Sequence, residues 1–205
     1  MCGYSGIINT KELLRDSHID KIMDSSLKRL FPRGPDQQDK WFDNHAYLVH
    51  ARLSILDTSE AGKQPMVKYN KVIAYNGEIY NFIELREALV KVGYSFKSNS
   101  DCEVLIAGWD YWGENVLDKL DGMFSFAIWD IKLKKLILAR DPFGKKPLLY
   151  SIQNDIIYFS SELKSLEQIL KFKDINIEAL ESLFRFRFIP EPMTIFSQLK
   201  LLIKI

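Results

Sequence analysis

The chain begins with the stretch MCGYSGIIN, residues 1–9. Residues 4–9 are short and mostly apolar, which predicts a β-strand that would hold Cys2 against a sheet. If Met1 is removed, Cys2 carries a thiol and a free α-amine on one residue. An α-amine has an ordinary pKa of about 7.7–8.0, so it can accept the thiol proton and later return it. The stretch therefore predicts a nucleophile that carries its own base.

Composition narrows the class of protein. The 205 residues are 47% hydrophobic and 27% charged, which is typical of a globular domain with a real core. The net charge of +1 argues against a nucleic-acid partner, and no apolar run is long enough to predict a signal peptide or a membrane span. Two cysteines without a CxxC pair predict neither a disulfide framework nor a metal site. We therefore expect a cytoplasmic protein whose thiols stay reduced.

The rest of the chain alternates between hairpins and separate helical runs. Turn pairs at residues 43–44 and 154–155 each join two predicted strands, and helical spacing recurs in residues 17–31, 101–112 and 178–186. This order predicts an α+β fold with antiparallel sheets and argues against a doubly wound fold.

Three local predictions bear on function. A strand over residues 46–56 would place His50, Arg52 and Ser54 on a polar face opposite an apolar one. A strand over residues 72–75 would end at Asn76-Gly77 and lead into a helix, leaving a backbone N–H and a side-chain amide exposed. Asp101 would be the N-cap of the helix over residues 101–112.

Seven motifs occur together in the chain. They are MCG at 1–3, RGPD at 33–36, HARLSILD at 50–57, YNGEIYN at 75–81, SDCE at 100–103, LDGMFSFAIWD at 120–130 and ARDPFGKKPL at 139–148. In this order and spacing the chain resembles the glutaminase half of glutamine-hydrolysing asparagine synthetase. That half is a class II glutamine amidotransferase domain of the N-terminal-nucleophile hydrolase type. The resemblance implies a four-layer αββα sandwich of two antiparallel sheets.

The resemblance also implies catalytic roles for three residues. Cys2, freed by loss of Met1, would attack the side-chain amide of glutamine. The side chain of Asn76 and the N–H of Gly77 would form the oxyanion hole. One such donor contributes about 2.7–4 kcal/mol to lowering a barrier.

Three further residues are expected to bind the substrate. Arg52 would hold the α-carboxylate of glutamine through its planar fork of donors. Glu78 and Asp101 would bind the α-ammonium group. Arg52 and Asp101 also have simpler readings, as a surface ion-pair residue and a helix cap, and Cys102 is expected to be a buried thiol without a catalytic role.

Domain limits and partners follow from the same resemblance. We expect residues 1–190 to form the amidotransferase domain and residues 191–205 to be the stub of a linker to a missing synthetase domain. The domain itself would need no cofactor, since ATP and Mg²⁺ belong to the synthetase domain. The expected partners are glutamine and a synthetase domain on another chain, with a homodimer as a further option.

Two alternatives stay open at this stage. The chain could be a folded but catalytically silent module that only binds a partner. It could also be an amidotransferase that delivers ammonia to another acceptor, such as a sugar.

Overall fold

The computed structural model describes residues 1–12, 14, 17–172 and 174–203. Its strands are β1 (Gly3–Asn9), β2 (Gln37–Phe42), β3 (Ala46–Arg52), β4 (Met66–Lys68), β5 (Lys71–Ile79), β6 (Gly122–Asp130), β7 (Lys135–Arg140), β8 (Leu149–Gln153), β9 (Ile156–Ser160) and β10 (Lys200–Leu201). Its α-helices are α1 (Ser17–Leu30), α2 (Phe82–Lys91), α3 (Asp101–Trp112), α4 (Leu163–Leu166) and α5 (Ile177–Phe186).

The strands form two sheets, and every described strand pair is antiparallel. The first sheet has the order β10-β8-β9-β1-β3-β2, and the second has the order β4-β5-β6-β7. The predicted α+β fold with antiparallel sheets is confirmed.

Three apolar clusters divide the fold into four layers. One cluster lies between α1 and the first sheet, and another lies between the second sheet and helices α2 and α3. The third lies between the two sheets, where Tyr4 and Leu48 face Ala74 and Trp129. The order of layers is therefore helix, sheet, sheet, helix, as the resemblance implies.

Both sheets are buried on two faces, and alternate side chains of each strand pack into the apolar clusters on either side. On β3, Leu48 points between the sheets while Val49 packs towards α1. On β5, Ala74 points between the sheets while Ile73 packs towards the other helices. Successive side chains of a strand point to opposite faces, so near-continuous apolar strands are expected wherever both faces are covered.

Two strand predictions were wrong at their ends. Strand β3 stops at Arg52, not at residue 56, because the next residues turn away: the Ser54 N–H donates to Asp36 Oδ2 over 2.7 Å. Strand β5 does not end at Asn76-Gly77 but runs through this pair to Ile79, with Asn76 opposite Ser125 on β6. The Asn-Gly pair is therefore not a turn, and helix α2 begins only at Phe82.

Close backbone packing accounts for the glycine inside β5. A Cβ on Gly77 would overlap the carbonyl oxygen of Met123 and crowd the backbone of Phe124. Glycine within a strand often marks a close approach of backbone, and here it is a requirement of the β5–β6 pairing.

The last described residues pack against the first sheet. Strand β10 pairs with β8, and the Leu202 N–H donates to the Leu148 carbonyl over 2.8 Å. The boundary expected at residue 190 stays a prediction, and residues 204 and 205 of the expected linker lie outside the described residues. Within the described ranges, no helix combines the length and apolar character needed to cross a bilayer.

Gly34 gives a test of the packing beside β3. A Cβ at this position would overlap the Ala51 carbonyl oxygen, which belongs to rigid strand backbone. We expect Gly34→Ala to lower the free energy of unfolding by about 1–3 kcal/mol, as overpacking does, measured by urea denaturation. Lys132→Ala, at an exposed turn, is the control and should change stability by less than about 0.5 kcal/mol. Equal effects of the two substitutions would contradict this account.

Candidate functional site

The site lies where the ends of β1, β3 and β5 meet. Gly3 on β1 pairs with Ala51 on β3, so Cys2 comes beside the end of β3. The Leu53 N–H lies 3.4 Å from Cys2 Sγ, and Sγ lies 3.6 Å from the Leu53 carbonyl oxygen. The strand register therefore places the thiol at the rim of the space between the sheets.

Side-chain parity aims the polar groups of both sheets at each other. His50 and Arg52 continue the face of β3 that carries Leu48, which points towards the second sheet. Asn76 and Glu78 continue the face of β5 that carries Ala74, which points towards the first sheet. The apolar layer between the sheets thus gives way to polar groups at one end.

A hydrogen bond joins the sheets at this point. His50 Nε2 lies 3.0 Å from the Tyr75 carbonyl oxygen. Burial lowers the pKa of His50 to about 4, so the ring is neutral at pH 7. A carbonyl only accepts, so Nε2 carries the proton and donates it.

One pocket brings all six predicted site residues together. It is lined by the three predicted catalytic and three predicted substrate-binding residues, Cys2, Asn76, Gly77, Arg52, Glu78 and Asp101. They come from the start of the chain, from β3, from β5 and from the start of α3. The structure thus places the six residues in one pocket, while their assignment to a functional site and their individual roles stay predictions.

Burial governs the chemistry of the Cys2 thiol. It raises the pKa of Cys2, and the hydrogen bond from the Leu53 N–H opposes this effect only in part. A thiol with a raised pKa is protonated at pH 7 and needs a base before it can attack. Met1 also lines the pocket, and its Sδ accepts a hydrogen bond from Lys146 Nζ over 3.1 Å.

Asn76 and Gly77 both line the pocket, and each carries an N–H donor. Asn76 is 1% exposed, and none of the described residues accepts a hydrogen bond from its Nδ2. The N–H groups of Tyr75 and Ile79 point away from β6, towards Gln64 Oε1 and Asp101 Oδ2. Strand alternation gives the N–H of Gly77 the same direction, along the open edge of β5.

Arg52 is buried and holds the loop that follows β3. Its Nη1 donates to the Ser59 carbonyl over 2.9 Å and to Gln37 Oε1 over 3.3 Å, and its Nη2 donates to the Asp57 carbonyl. The expectation of a simple surface ion pair is therefore wrong. A Cβ on Gly62 would overlap the guanidinium, which explains a glycine in this loop.

Asp101 is buried at the first residue of α3. Its Oδ2 accepts from the Tyr75 hydroxyl over 2.6 Å and from the Ile79 N–H over 3.0 Å. The prediction that Asp101 is the N-cap was wrong, because Ser100 is the cap and its Oγ accepts from the Glu103 N–H. Asp101 is thus directed into the site by β5 and is not used to cap its own helix.

Several other pocket residues were not assigned a role from the sequence. Among them are Asp57, Gln64, Tyr75 and Lys146. Asp57, Tyr75 and Lys146 lie inside the quoted motifs, so the signal was present, but no local pattern connects them with Cys2. Lys146 is 4% exposed, and burial lowers its pKa. In the part of the chain that the structure describes, no group of three His, Cys, Asp or Glu side chains could hold a metal ion.

The RGPD and ARDPFG motifs hold loops around the site. Arg33 Nε donates to the Cys2 carbonyl over 2.9 Å and Nη1 pairs with Glu162. Asp141 is fully buried and accepts hydrogen bonds from the N–H groups of Phe124, Lys145 and Lys146. The first motif thus fixes the backbone beside the thiol. The second fixes the backbone of Lys146, which lines the pocket.

Comparison with known protein families identifies the family of the chain that forms this pocket. Residues 1–204 match the family described as "Glutamine amidotransferase domain". The chain belongs to this family. The family membership expected from the seven motifs is confirmed.

Among curated relatives, this amidotransferase domain resembles part of longer enzymes. It is 41% identical over 202 residues to "Asparagine synthetase [glutamine-hydrolyzing] 1" of Bacillus subtilis, which covers 98% of this chain and 32% of the relative. It is 36% identical to "Putative asparagine synthetase [glutamine-hydrolyzing] 2" of Methanocaldococcus jannaschii, covering 96% of this chain and 41% of the relative. The chain therefore spans about a third of the length of these relatives.

A solved structure shares the architecture of this amidotransferase domain. Glutamine phosphoribosylpyrophosphate amidotransferase from B. subtilis, complexed with ADP and GMP, superposes with a TM-score of 0.66 over 82% of this chain and 43% of its own. The identity is 22%, so this likeness concerns the fold alone.

Asp57 provides a pH-dependent test of the loop beside the site. Its Oδ1 accepts from the Ser59 N–H and hydroxyl, and its Oδ2 accepts from the Asn99 N–H over 2.6 Å. The Ser59 hydroxyl, followed by the Asn99 N–H, lowers the pKa of Asp57. A lowered folded pKa gives stability above the ordinary pKa of about 3.9 that is lost as the pH falls through the folded pKa.

We therefore expect Asp57→Asn to lower the free energy of unfolding at pH 7 by about 1–3 kcal/mol. The gap to the unsubstituted protein should narrow once the pH falls below about 4. Chemical denaturation at a series of pH values measures it, and Asp118→Asn, at an exposed carboxylate, is the control. A gap that stays constant with pH would contradict the role given to this carboxylate.

Proposed function

We propose that this domain hydrolyses L-glutamine to L-glutamate and ammonia, with Cys2 as the nucleophile. One observation carries the proposal: the half-buried thiol of Cys2 shares a pocket with an unpaired amide donor, a guanidinium and three carboxylates, of which Glu78 and Asp101 are the predicted substrate-binding ones. A thiol suits attack on an amide, and the opposite charges suit a free amino acid. The membership of the chain in the glutamine amidotransferase family supports the same reaction.

The first chemical step requires loss of Met1. The α-amine of Cys2 then accepts the thiol proton, and the thiolate forms a bond to the amide carbon of glutamine. The resulting ammonium returns a proton to the departing nitrogen, so that ammonia leaves and a thioester remains. Water hydrolyses the thioester, releases glutamate and regenerates the thiol. The raised pKa of Cys2 supports this role for the amine, because a protonated thiol needs a nearby base.

The negative charge that develops on the amide oxygen of the substrate must be stabilised by hydrogen-bond donors. Asn76 Nδ2 and the Gly77 N–H are suited to this task, since both belong to residues that line the pocket. A buried polar group without a partner costs about 1–3 kcal/mol, so the free Nδ2 of Asn76 is favourable only when an acceptor arrives.

The two ends of glutamine would be bound by opposite charges. Arg52 has five N–H donors and makes three hydrogen bonds with the described residues, which leaves donors for the α-carboxylate. Asp101 and Glu78 would bind the α-ammonium. In this proposal no cofactor acts in the domain.

For the fate of ammonia, we propose a synthetase domain that makes asparagine with ATP and Mg²⁺, acting in the cytoplasm. The longer relatives support such a partner. So does an exposed apolar surface on α5 and the residues after it, which we call the α5 surface. It comprises Ile177, Leu183, Phe184, Phe186 and Phe188, whose exposed fractions run from 39% to 80%. Exposed apolar groups gathered in one segment mark interaction sites.

The nucleophile is tested by two changes at the start of the chain. We expect glutamate release from glutamine to disappear in Cys2→Ala, because no sulfur remains to attack. It should also disappear in a form that retains Met1, because the amine is then tied up in a peptide bond. Activity is measured as glutamate released, and mass spectrometry reports whether Met1 is present.

Circular dichroism and the urea midpoint show whether both forms keep the fold. Steady glutamate release by either form would refute the mechanism. A chain that always retains Met1 and releases no glutamate would favour the catalytically silent module, which is the alternative reading.

The α5 surface is tested with Phe184→Ser, since this side chain is 80% exposed. The binding partner is the purified synthetase part of the 41%-identical B. subtilis relative. We expect the dissociation constant to rise at least about tenfold, as loss of a central aromatic contact does, measured by sedimentation. Phe143→Ser is the matched control, at a side chain that is 84% exposed elsewhere. Equal affinity of the two variants would exclude the α5 surface as the interface.

A further inference from the structure

Tyr75 is held by three hydrogen bonds that reach different parts of the site. Its N–H donates to Gln64 Oε1 over 2.8 Å, and its carbonyl accepts from His50 Nε2 over 3.0 Å. Its hydroxyl donates to Asp101 Oδ2 over 2.6 Å. The first two bonds fix the backbone next to Asn76, while the third fixes a carboxylate on another element.

Two hydrogen bonds to one oxygen hold the Asp101 carboxylate in the pocket. Oδ2 receives both the Tyr75 hydroxyl and the Ile79 N–H, and the side chain lines the pocket. Two donors on one oxygen determine how the carboxylate is oriented. A buried carboxylate held in this way is ready to bind a cation of small size.

We propose that Tyr75 is a positioning residue that orients Asp101 towards the α-ammonium group of the substrate. This inference rests on the proposed function, because it assigns the recognition of the amino group to one pair of residues. Tyr75 does not touch the reacting atoms in this account. It acts through Asp101, and it thereby favours free amino acids over acids that lack the amino group.

The protonation states support this arrangement. Burial raises the pKa of Tyr75 well above its ordinary value, so its hydroxyl stays a donor at every working pH. Burial also raises the pKa of Asp101, and the Tyr75 hydroxyl opposes that effect. The other charged or titratable groups that line the described pocket are Cys2, Arg52, Asp57, Glu78, Cys102 and Lys146, and Glu103 follows on α3.

The test is Tyr75→Phe, which removes the hydroxyl and keeps the ring. We expect KM for glutamine to rise about tenfold while kcat changes by less than about threefold, because a hydrogen bond to a charged group is lost. Competitive inhibition by L-glutamate should weaken about tenfold. Inhibition by glutarate, which lacks the α-ammonium, should stay within about twofold.

The dependence of KM on pH gives a second measurement, which a loss of packing alone would leave unchanged. Binding requires ionised Asp101, so KM rises as the pH falls through the pKa of this carboxyl. Without the Tyr75 hydroxyl that pKa lies higher, and the rise in KM should begin at a higher pH. An unchanged profile would overturn the proposal.

Tyr94→Phe is the matched control, because the Tyr94 hydroxyl donates to Asp110 Oδ2 over 2.7 Å outside the pocket. It should leave KM and the pH profile unchanged. A Tyr75→Phe variant that weakens glutamate and glutarate equally would overturn the proposal, since the effect would then not depend on the ammonium group.

Binding to the Cys2→Ala protein separates this inference from the proposed function. Calorimetry should show glutamine bound by Cys2→Ala and bound about tenfold more weakly by Cys2→Ala/Tyr75→Phe. Equal binding by the two proteins would overturn the role of Tyr75 and leave the glutaminase proposal standing. If Cys2→Ala binds no glutamine and the parent chain releases no glutamate, the proposed function itself is wrong, and the inference falls with it.

Discussion

The hydrogen bond between His50 Nε2 and the Tyr75 carbonyl joins the two sheets where their apolar layer ends. Elsewhere the sheets are held together mainly by non-directional burial of side chains such as Leu48 and Ala127. Trp129 Nε1 also donates a hydrogen bond over 2.9 Å to Asp43 Oδ2, in the turn after β2. Such burial sets the distance between sheets but tolerates small sliding. A directional bond at the open end fixes the thiol and Arg52, which belong to one sheet, relative to Asn76, which belongs to the other.

The same end of the molecule carries polar groups that a core built for stability would avoid. Asn76 Nδ2 and His50 Nδ1 are buried and receive no partner from the described residues. Asp101 and Lys146 are buried too. Burial raises the pKa of Asp101 and lowers the pKa of Lys146, so it disfavours the charged form of both. Buried groups of this kind lower stability unless a ligand completes them, and they concentrate where a protein binds or reacts.

Several features of the site could be predicted because they depend on residue type and spacing. Seven motifs identified the family, and hairpin and helix patterns gave the fold class. The local errors share one cause, which is that residue composition suggested a local structure that other contacts prevent. Asn76-Gly77 has the composition of a turn, but pairing with β6 keeps it extended, and a Cβ on Gly77 would prevent that pairing. Asp101 has the composition of a cap, but Ser100 caps α3, and Tyr75 holds Asp101 in the pocket.

The sequence by itself determined the presence of a cysteine next to Met1, the order of strands and helices, and membership in the amidotransferase family. These follow from local chemistry and from patterns along the chain. Only the tertiary structure decided which residues meet around the thiol, including Tyr75, Gln64, Asp57 and Lys146. The physical reason is that the register of β1 on β3 and the stacking of two sheets bring together residues that lie far apart in sequence. No local pattern encodes those distances.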